Sequence, residues 1–161
     1  MNRYIDKLEC LVGMGRSLST LSTCKRSRTS AMIFTTNCTH IHSIGYNGVP
    51  SGVSNDACTE VEGECGCVHA EINAIAKLDR CITEPCLLYT RTMTCIQCAS
   101  LVVNTWCIVG VVWDNPYRNN NGLELILRHH IPAVKSNDLR LENRQGIIQN
   151  WMKNDTLRQR R

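Results

Sequence analysis

Residues 63–74, GECGCVHAEINA, crowd two cysteines, a histidine and two glutamates into the stretch that leads into a predicted helix. The tetrapeptide Cys95-Ile96-Gln97-Cys98 opens the next predicted helix, after one strand. A Cys-x-x-Cys pair alone also fits a redox pair, half of a zinc knuckle or two core thiols. Combined with His69 in a β-α-β-α frame, it predicts one metal site made by His69, Cys95 and Cys98.

The ligand set favours a catalytic zinc site. Three protein ligands leave the fourth tetrahedral position of zinc to water, which is typical of catalytic rather than structural sites. Thiolates at a helix N-terminus are stabilised by the helix dipole and by unpaired N–H groups. Glu71 follows the histidine by two residues, so we expect it to carry protons beside the metal without binding it. The pattern H-x-E followed by C-x-x-C is the signature of zinc deaminases.

The residue before the first cysteine departs from that signature. The signature has proline there, whereas this chain has Thr94. Thr94-x-x-Gln97 matches a capping box, in which each side chain satisfies a backbone N–H of the first helical turn. We therefore expect Thr94 to cap the helix and to preserve the start that the proline would set.

Length and composition favour a single domain over residues 1–161 that is neither secreted nor membrane-embedded. The chain has no run of about 18 apolar residues, and Asp6 and Glu9 interrupt the apolar stretch that a signal peptide needs. Eleven cysteines in such a chain indicate metal thiolates and buried free thiols rather than disulfides. We expect a cytoplasmic protein. The mild net charge of +4, with basic residues in 24–28 and 158–161, demands no nucleic-acid partner, and the tail is interpreted as a solvated terminus.

Hydrophobic periodicity predicts the order α-β-β-α-β-α-β-α-β-α. The predicted helices cover 4–22, interrupted near Gly13 and Gly15, then 68–80, 94–106, 122–130 and 141–154. The predicted strands cover 30–36, 40–46, 86–91, 107–113 and 131–135. Helices that alternate with apolar strands imply right-handed crossovers and a sheet with helices on both faces.

Longer segments carry a family resemblance. They are STCKRSRTSAMIF (22–34), GYNGVPSG (45–52), CVHAEINAIAK (67–77), LLYTRTMTCIQCA (87–99) and DNPYRNNNGLELILRHHIPA (114–133). Over about residues 4–136 the chain resembles deoxycytidylate (dCMP) deaminases of the cytidine deaminase superfamily. The resemblance implies a three-layer α/β fold with a five-stranded mixed sheet. It also implies hydrolytic deamination of dCMP to dUMP with release of ammonia.

The resemblance also assigns residues to the substrate. Asn47 of GYNG would hydrogen-bond the sugar hydroxyl, Arg26 would bind the 5′-phosphate, and Tyr117 would contact the phosphate or the base, with Ala70 among the substrate contacts. The alternatives are an ordinary turn at Asn47-Gly48, a solvated basic run around Arg26 and a plain loop tyrosine. Ser27 replaces a second family arginine, which weakens the phosphate assignment, and Ser30 replaces a family glycine.

Related enzymes often carry a second, structural zinc. By position, its ligands here would be Cys24, Cys58 and Cys65, with Cys67 as the fourth. Three other residues are alternatives to Cys67: His40, His42 and Cys38. The remaining cysteines are predicted to be core thiols: Cys10, Cys81, Cys86 and Cys107.

The family further implies a homo-hexamer that is activated by dCTP and inhibited by dTTP, with Mg²⁺. The effector site would involve Asn47 and Gly48 and a subunit interface. Two other functions compete with this one. The first is another deaminase of the superfamily, acting on a nucleoside or on tRNA. The second is a zinc-stabilised module that binds nucleic acid through its basic termini, which leaves Glu71 without a role.

Overall fold

A computed structural model describes residues 2–152, and its elements follow the predicted order. The strands are β1 (Ser30–Thr35), β2 (Ile41–Tyr46), β3 (Cys86–Thr92), β4 (Ile108–Asn115) and β5 (Ala133–Lys135). The helices are α1 (Arg3–Leu18), α2 (Ala70–Ala76), α3 (Ile96–Asn104), α4 (Asn121–Arg128) and α5 (Glu142–Met152). Short 3₁₀ turns cover Ser19–Leu21, Asn55–Ala57 and Ser136–Asp138.

The strands form one mixed sheet in the order β2-β1-β3-β4-β5. Strand β1 pairs antiparallel with both β2 and β3, whereas β3, β4 and β5 run parallel. Parallel neighbours need a crossover connection, which α3 and α4 supply. The predicted five-stranded mixed sheet is therefore confirmed.

Helices cover both faces of the sheet. Alternate residues of a strand point to opposite faces, so Leu87 and Tyr89 pack with α1 and α5, while Cys86 and Leu88 pack with α2, α3 and α4. All six residues of β1 are buried. This burial on both faces is why the strands read as continuous apolar runs in the sequence.

The predicted interruption of the first helix is wrong. Helix α1 runs unbroken through both glycines. A Cβ at Gly15 would lie 2.2 Å from a ring carbon of Tyr89, so the glycine lets the helix approach the sheet closely instead of ending it.

Two other predicted helices have different limits. Helix α2 is shorter than the predicted 68–80, and α5 starts one residue later than predicted. The predicted residues 153 and 154 and the basic tail 158–161 lie outside the described residues. Within residues 2–152, no helix combines the length and the apolarity that a membrane span requires.

Asp114, near the end of β4, is the centre of a buried polar cluster. Its carboxylate accepts two hydrogen bonds of 2.9 Å from Arg16, one of 2.7 Å from the Tyr89 hydroxyl, one of 2.8 Å from Arg91 and another from Ser136. Burial alone would raise the pKa of this carboxyl, but the donors, Arg16 first, hold it well below its usual value. The cluster ties the end of α1 to the carboxyl ends of β3 and β4.

We predict that Asp114→Asn lowers the free energy of unfolding by about 2–3 kcal/mol, because it removes the charge that pairs with two arginines. Since the folded pKa is depressed, the stabilisation is present above about pH 4 and is lost as the pH falls further. Urea unfolding at pH 7 measures the loss. The control is Asp56→Asn, whose exposed pair with Lys25 at 3.3 Å should change stability by under about 0.5 kcal/mol. Equal effects of the two substitutions would contradict the role of Asp114.

Candidate active site

The predicted ligands His69, Cys95 and Cys98 meet at the starts of two helices. Nδ1 of His69 lies 3.3 Å from Sγ of Cys98 and 3.5 Å from Sγ of Cys95. Tetrahedral zinc with Zn–N of about 2.0 Å and Zn–S of about 2.3 Å places its nitrogen and sulphur ligands about 3.5 Å apart. The three side chains therefore already have the spacing that a zinc ion needs.

The two thiols have opposite pKa shifts. Contact with the Cys98 thiol, and then with His69, lowers the pKa of Cys95 to about 4. The same contact with Cys95 raises the pKa of Cys98. The two thiols thus lie close enough for each to affect the protonation of the other, and a divalent cation would hold both as thiolates.

Glu71 lies beside this cluster in the first turn of α2 and is only 5% exposed. Burial raises the pKa of its carboxyl to about 6. Glu71 lines the same cavity as His69 and Cys95. A buried carboxylate with a pKa close to neutral is suited to proton transfer.

Cys95, not Thr94, caps helix α3. The Cys95 sulphur accepts from the backbone N–H of Cys98 at 3.5 Å. The Thr94 hydroxyl is buried and has no hydrogen-bond partner among the described residues. The predicted capping box is therefore wrong, because the helix begins one residue later than the box requires. A predicted metal ligand takes the capping position instead.

The GYNG segment positions His69. Gly48 forms an antiparallel bridge with Val68: its N–H donates to Val68 O at 3.2 Å and its C=O accepts at 2.8 Å. The N–H of Asn47 donates to Thr29 O at 3.2 Å. Both N–H groups are thus used inside the protein, so an effector phosphate at Asn47 and Gly48 would have to bind other groups of the loop, and the effector role of these residues stays a prediction.

The Asn47 side chain holds the loop that carries Arg26. Its Oδ1 accepts from Ser22 Oγ at 2.7 Å and from Thr29 N at 2.9 Å, while its Nδ2 donates to Ser27 O at 2.7 Å. Both lone pairs of Oδ1 are then occupied, and one amide hydrogen is left. Asn47 is thus more than a turn residue, and it can only donate to a ligand.

The predicted substrate residues surround one small cavity of about 70 Å³. Arg26, Asn47, His69, Glu71 and Tyr117 all line it. The cavity adjoins a wider cleft of about 430 Å³ that shares Arg26, His69 and Tyr117. Tyr117 lines both spaces beside His69 and Cys95, and burial, followed by the negative potential of Cys95, raises the pKa of its hydroxyl.

Ala70 is fully buried, and its methyl group packs in the core between α2 and the sheet. A substrate contact at this position would use its backbone. Sequence reasoning missed other residues of the cavity and the cleft: Thr29, Thr92, Met93, Glu62, Gln97 and Arg118. All of these except Glu62 lie near Arg26, Cys95 or Tyr117 in the sequence, and this proximity could have indicated them.

The second cysteine cluster also forms. The sulphurs of Cys24, Cys58 and Cys67 lie within 4.8 Å of one another, and Cys65 is buried beside them. Hydrogen bonds from the backbone of Glu60, and then of Lys25, lower the pKa of Cys58 to about 7. The thiols of Cys24, Cys58 and Cys67 therefore have a spacing that a zinc ion can bridge, whereas Cys65 lies beside them but outside that group of three.

The alternative fourth ligands lie elsewhere. The rings of His40 and His42 contact each other edge to face, His42 pairs with Glu84 at 3.1 Å, and Cys38 belongs to the core around α1. Of the predicted core thiols, Cys86 and Cys107 are buried, but Cys10 and Cys81 are exposed, so the prediction is wrong for these two.

Comparisons with known proteins agree with this geometry. The paired helix starts, the His/Cys/Cys cluster and the buried glutamate define a deaminase of the cytidine deaminase class. Residues 7–113 match the family model described as the cytidine and deoxycytidylate deaminase zinc-binding region, and the chain belongs to this family. A comparison with curated protein sequences gives no match.

Solved structures share the fold. The dCMP deaminase of cyanophage S-TIM5, crystallised with dCMP and dUMP, is 25% identical with a TM-score of 0.69, over 79% of this chain and 94% of that chain. The Rib2 deaminase of Aspergillus oryzae is 14% identical with a TM-score of 0.56, over 90% and 98%. The guanine deaminase of Nitrosomonas europaea is 17% identical with a TM-score of 0.55, over 87% and 81%. The last two matches support the fold only.

We predict that Thr94→Val keeps the full metal content and leaves the free energy of unfolding unchanged or raises it by up to about 1 kcal/mol, because it removes an unpaired buried hydroxyl. Metal analysis and urea unfolding measure this. The matched control is Thr35→Val, since the buried Thr35 hydroxyl donates to Asn37 at 2.7 Å and accepts from two backbone N–H groups. The control should lose about 1–2 kcal/mol. A comparable loss of stability in Thr94→Val would show that the Thr94 hydroxyl does cap helix α3.

Proposed function

We propose that this protein is a zinc-dependent dCMP deaminase that converts dCMP and water to dUMP and ammonia. The observation that carries the proposal is the spacing of His69, Cys95 and Cys98 beside the buried carboxyl of Glu71. Arg26, which suits a phosphate, lines the same cavity. Residues 7–113 match the deaminase family, and the S-TIM5 dCMP deaminase is a structural neighbour.

His69, Cys95 and Cys98 would hold the zinc, which when bound supplies a Lewis acid that lowers the pKa of water. The Glu71 carboxylate takes a proton from the attacking water and passes it to the ring nitrogen of cytosine. It then takes the remaining proton from the hydroxyl added to the ring carbon and delivers it to the amine, so that the carbon–nitrogen bond breaks, ammonia leaves and the carbonyl of dUMP forms. The raised pKa of Glu71 suits it to both accept and donate near neutral pH.

The other residues of the cavity orient the nucleotide. Arg26 donates charge-assisted hydrogen bonds to the 5′-phosphate. Asn47 donates its remaining amide hydrogen to the sugar hydroxyl. Tyr117 closes the side of the cavity next to Cys95, and the Ala70 backbone contributes a contact at the start of α2.

The same proposal includes a second, structural zinc on Cys24, Cys58, Cys65 and Cys67. It also includes the regulation that the resemblance implies: a cytoplasmic homo-hexamer that dCTP activates and dTTP inhibits, with Mg²⁺. The cysteine cluster supports the second zinc. The family resemblance alone supports the regulation.

Zinc-loaded protein should release ammonia from dCMP at a far higher kcat/KM than from CMP, deoxycytidine, guanine or a tRNA anticodon stem. Ammonia release measures all the substrates in one format. Addition of dCTP should raise the rate at low dCMP, and dTTP should lower it. Preference for another substrate would show that the protein is a different deaminase. Unchanged kinetics with both triphosphates would contradict the proposed regulation by dCTP and dTTP.

Glu71→Gln should lower kcat by at least about 100-fold while it keeps the fold and the metal content, because the amide cannot carry a proton. Steady-state kinetics, metal analysis and thermal unfolding on the same preparation measure this. Full turnover in the variant would show that the chain does not use Glu71 as its proton carrier. Zinc-loaded wild-type protein that deaminates none of these substrates would instead favour a non-enzymatic zinc module.

Cys58→Ser should reduce bound zinc from about two ions per chain to about one, because the catalytic ligands stay intact. Metal analysis of the purified protein measures this. Cys81→Ser is the control, since Cys81 is exposed and lies outside both clusters. One zinc in wild-type protein, unchanged by Cys58→Ser, would exclude the structural site.

A further inference from the structure

An ion pair spans the wide cleft outside the candidate active site. Glu62 and Arg118 form it, and both line the cleft. Glu62 comes from the cysteine-rich loop between Cys58 and Cys65, whereas Arg118 follows β4 and lies over the Tyr117 ring at 5.3 Å. The pair therefore links the loop that carries the second cysteine cluster to the loop that carries a predicted substrate residue.

The local backbone presents Glu62 in a defined place. Glu64 N donates to Val61 O at 3.2 Å, and Thr59 Oγ1 donates to Glu64 O at 2.8 Å. Gly63, the third residue of this turn, has a φ of 81°, which is typical of a type II turn. Glu62 thus occupies the second position of a closed tight turn, whose geometry holds its side chain towards the cleft.

The charges in the cleft fit a phosphate better than they fit Glu62. Arg26 and Arg118 line it together and outnumber the single carboxylate. A nucleotide 5′-phosphate carries up to two negative charges and accepts bidentate hydrogen bonds from guanidinium groups. The Glu62–Arg118 pair is about half exposed on both sides, so separating the two groups costs little.

Building on the proposed function, we propose that Glu62 competes with the 5′-phosphate of the substrate for Arg118. In the free protein Glu62 is the partner of Arg118. When a nucleotide binds, its phosphate replaces Glu62 and is held by Arg118 together with Arg26. Arg118 and Glu62 are then specificity residues that act on nucleotides and leave nucleosides unaffected.

Steady-state kinetics of substitutions at both residues test this proposal. Glu62→Gln should lower KM for dCMP by about two- to fivefold, because a competing charge is removed. Arg118→Gln should raise KM for dCMP by at least as much. Neither change should alter kcat/KM for deoxycytidine, which has no phosphate, and in an Arg118→Gln background Glu62→Gln should have no further effect.

The control is Glu64→Gln, which removes the same charge from the same loop but not from the lining of the cleft. An equal drop in KM for this control would show a general charge effect and overturn the proposal. A rise in KM for Glu62→Gln, or equal changes for dCMP and deoxycytidine, would also overturn it.

Turnover of dCMP by the wild-type protein separates this failure from a failure of the proposed function. If the wild-type protein does not deaminate dCMP, the proposed function fails. If it does, the variants test only the role of the ion pair. Calorimetric binding of dUMP to each variant gives the same comparison without catalysis.

Discussion

The contact between His69 Nδ1 and the sulphurs of Cys95 and Cys98 is the constraint on which the rest of the site depends. It requires the starts of α2 and α3 to meet within a few ångströms. Strand β3 delivers Cys95, and α3 returns the chain to the parallel strand β4 beside it. The Gly48–Val68 bridge delivers His69 at the edge of the same sheet. The fold is thus arranged so that two helix N-termini, both suited to anionic ligands, face one point.

The loops around that point are fixed from two sides. On one side, the Asn47 side chain binds the backbone of the loop that carries Arg26. On the opposite face of the sheet, Asp114 joins the end of α1 to the ends of β3 and β4. Helix α1 leads into the Arg26 loop, and β4 leads into Tyr117 and Arg118. Asp114 therefore stabilises the segments that lead into the site, although it lies away from the predicted metal ligands.

The element order and the His69, Cys95 and Cys98 cluster could be predicted from the sequence, because both depend on local patterns. Apolar periodicity predicted every strand of the sheet, and H-x-E with C-x-x-C predicted that these three side chains meet. The errors concern contacts between distant residues. Gly15 was expected to break a helix, but its role is set by Tyr89, which lies 74 positions along the chain.

The helix cap and the loop contacts show the same limit. Thr94 matched a capping pattern, yet Cys95 takes that place because sulphur at a metal site also accepts a backbone N–H. The three internal hydrogen bonds of the Asn47 side chain could not be predicted either, since their partners come from the separate segment 22–29. Glu62 was missed because its partner Arg118 is 56 residues away.

A crystal structure of zinc-loaded Glu71→Gln protein with dCMP tests the central claim most directly. The account predicts one zinc on His69, Cys95 and Cys98, with the cytosine ring beside it in the small cavity and the phosphate at Arg26. A nucleotide bound elsewhere, or a zinc that does not use these three ligands, would contradict the assignment of this cavity as the active site.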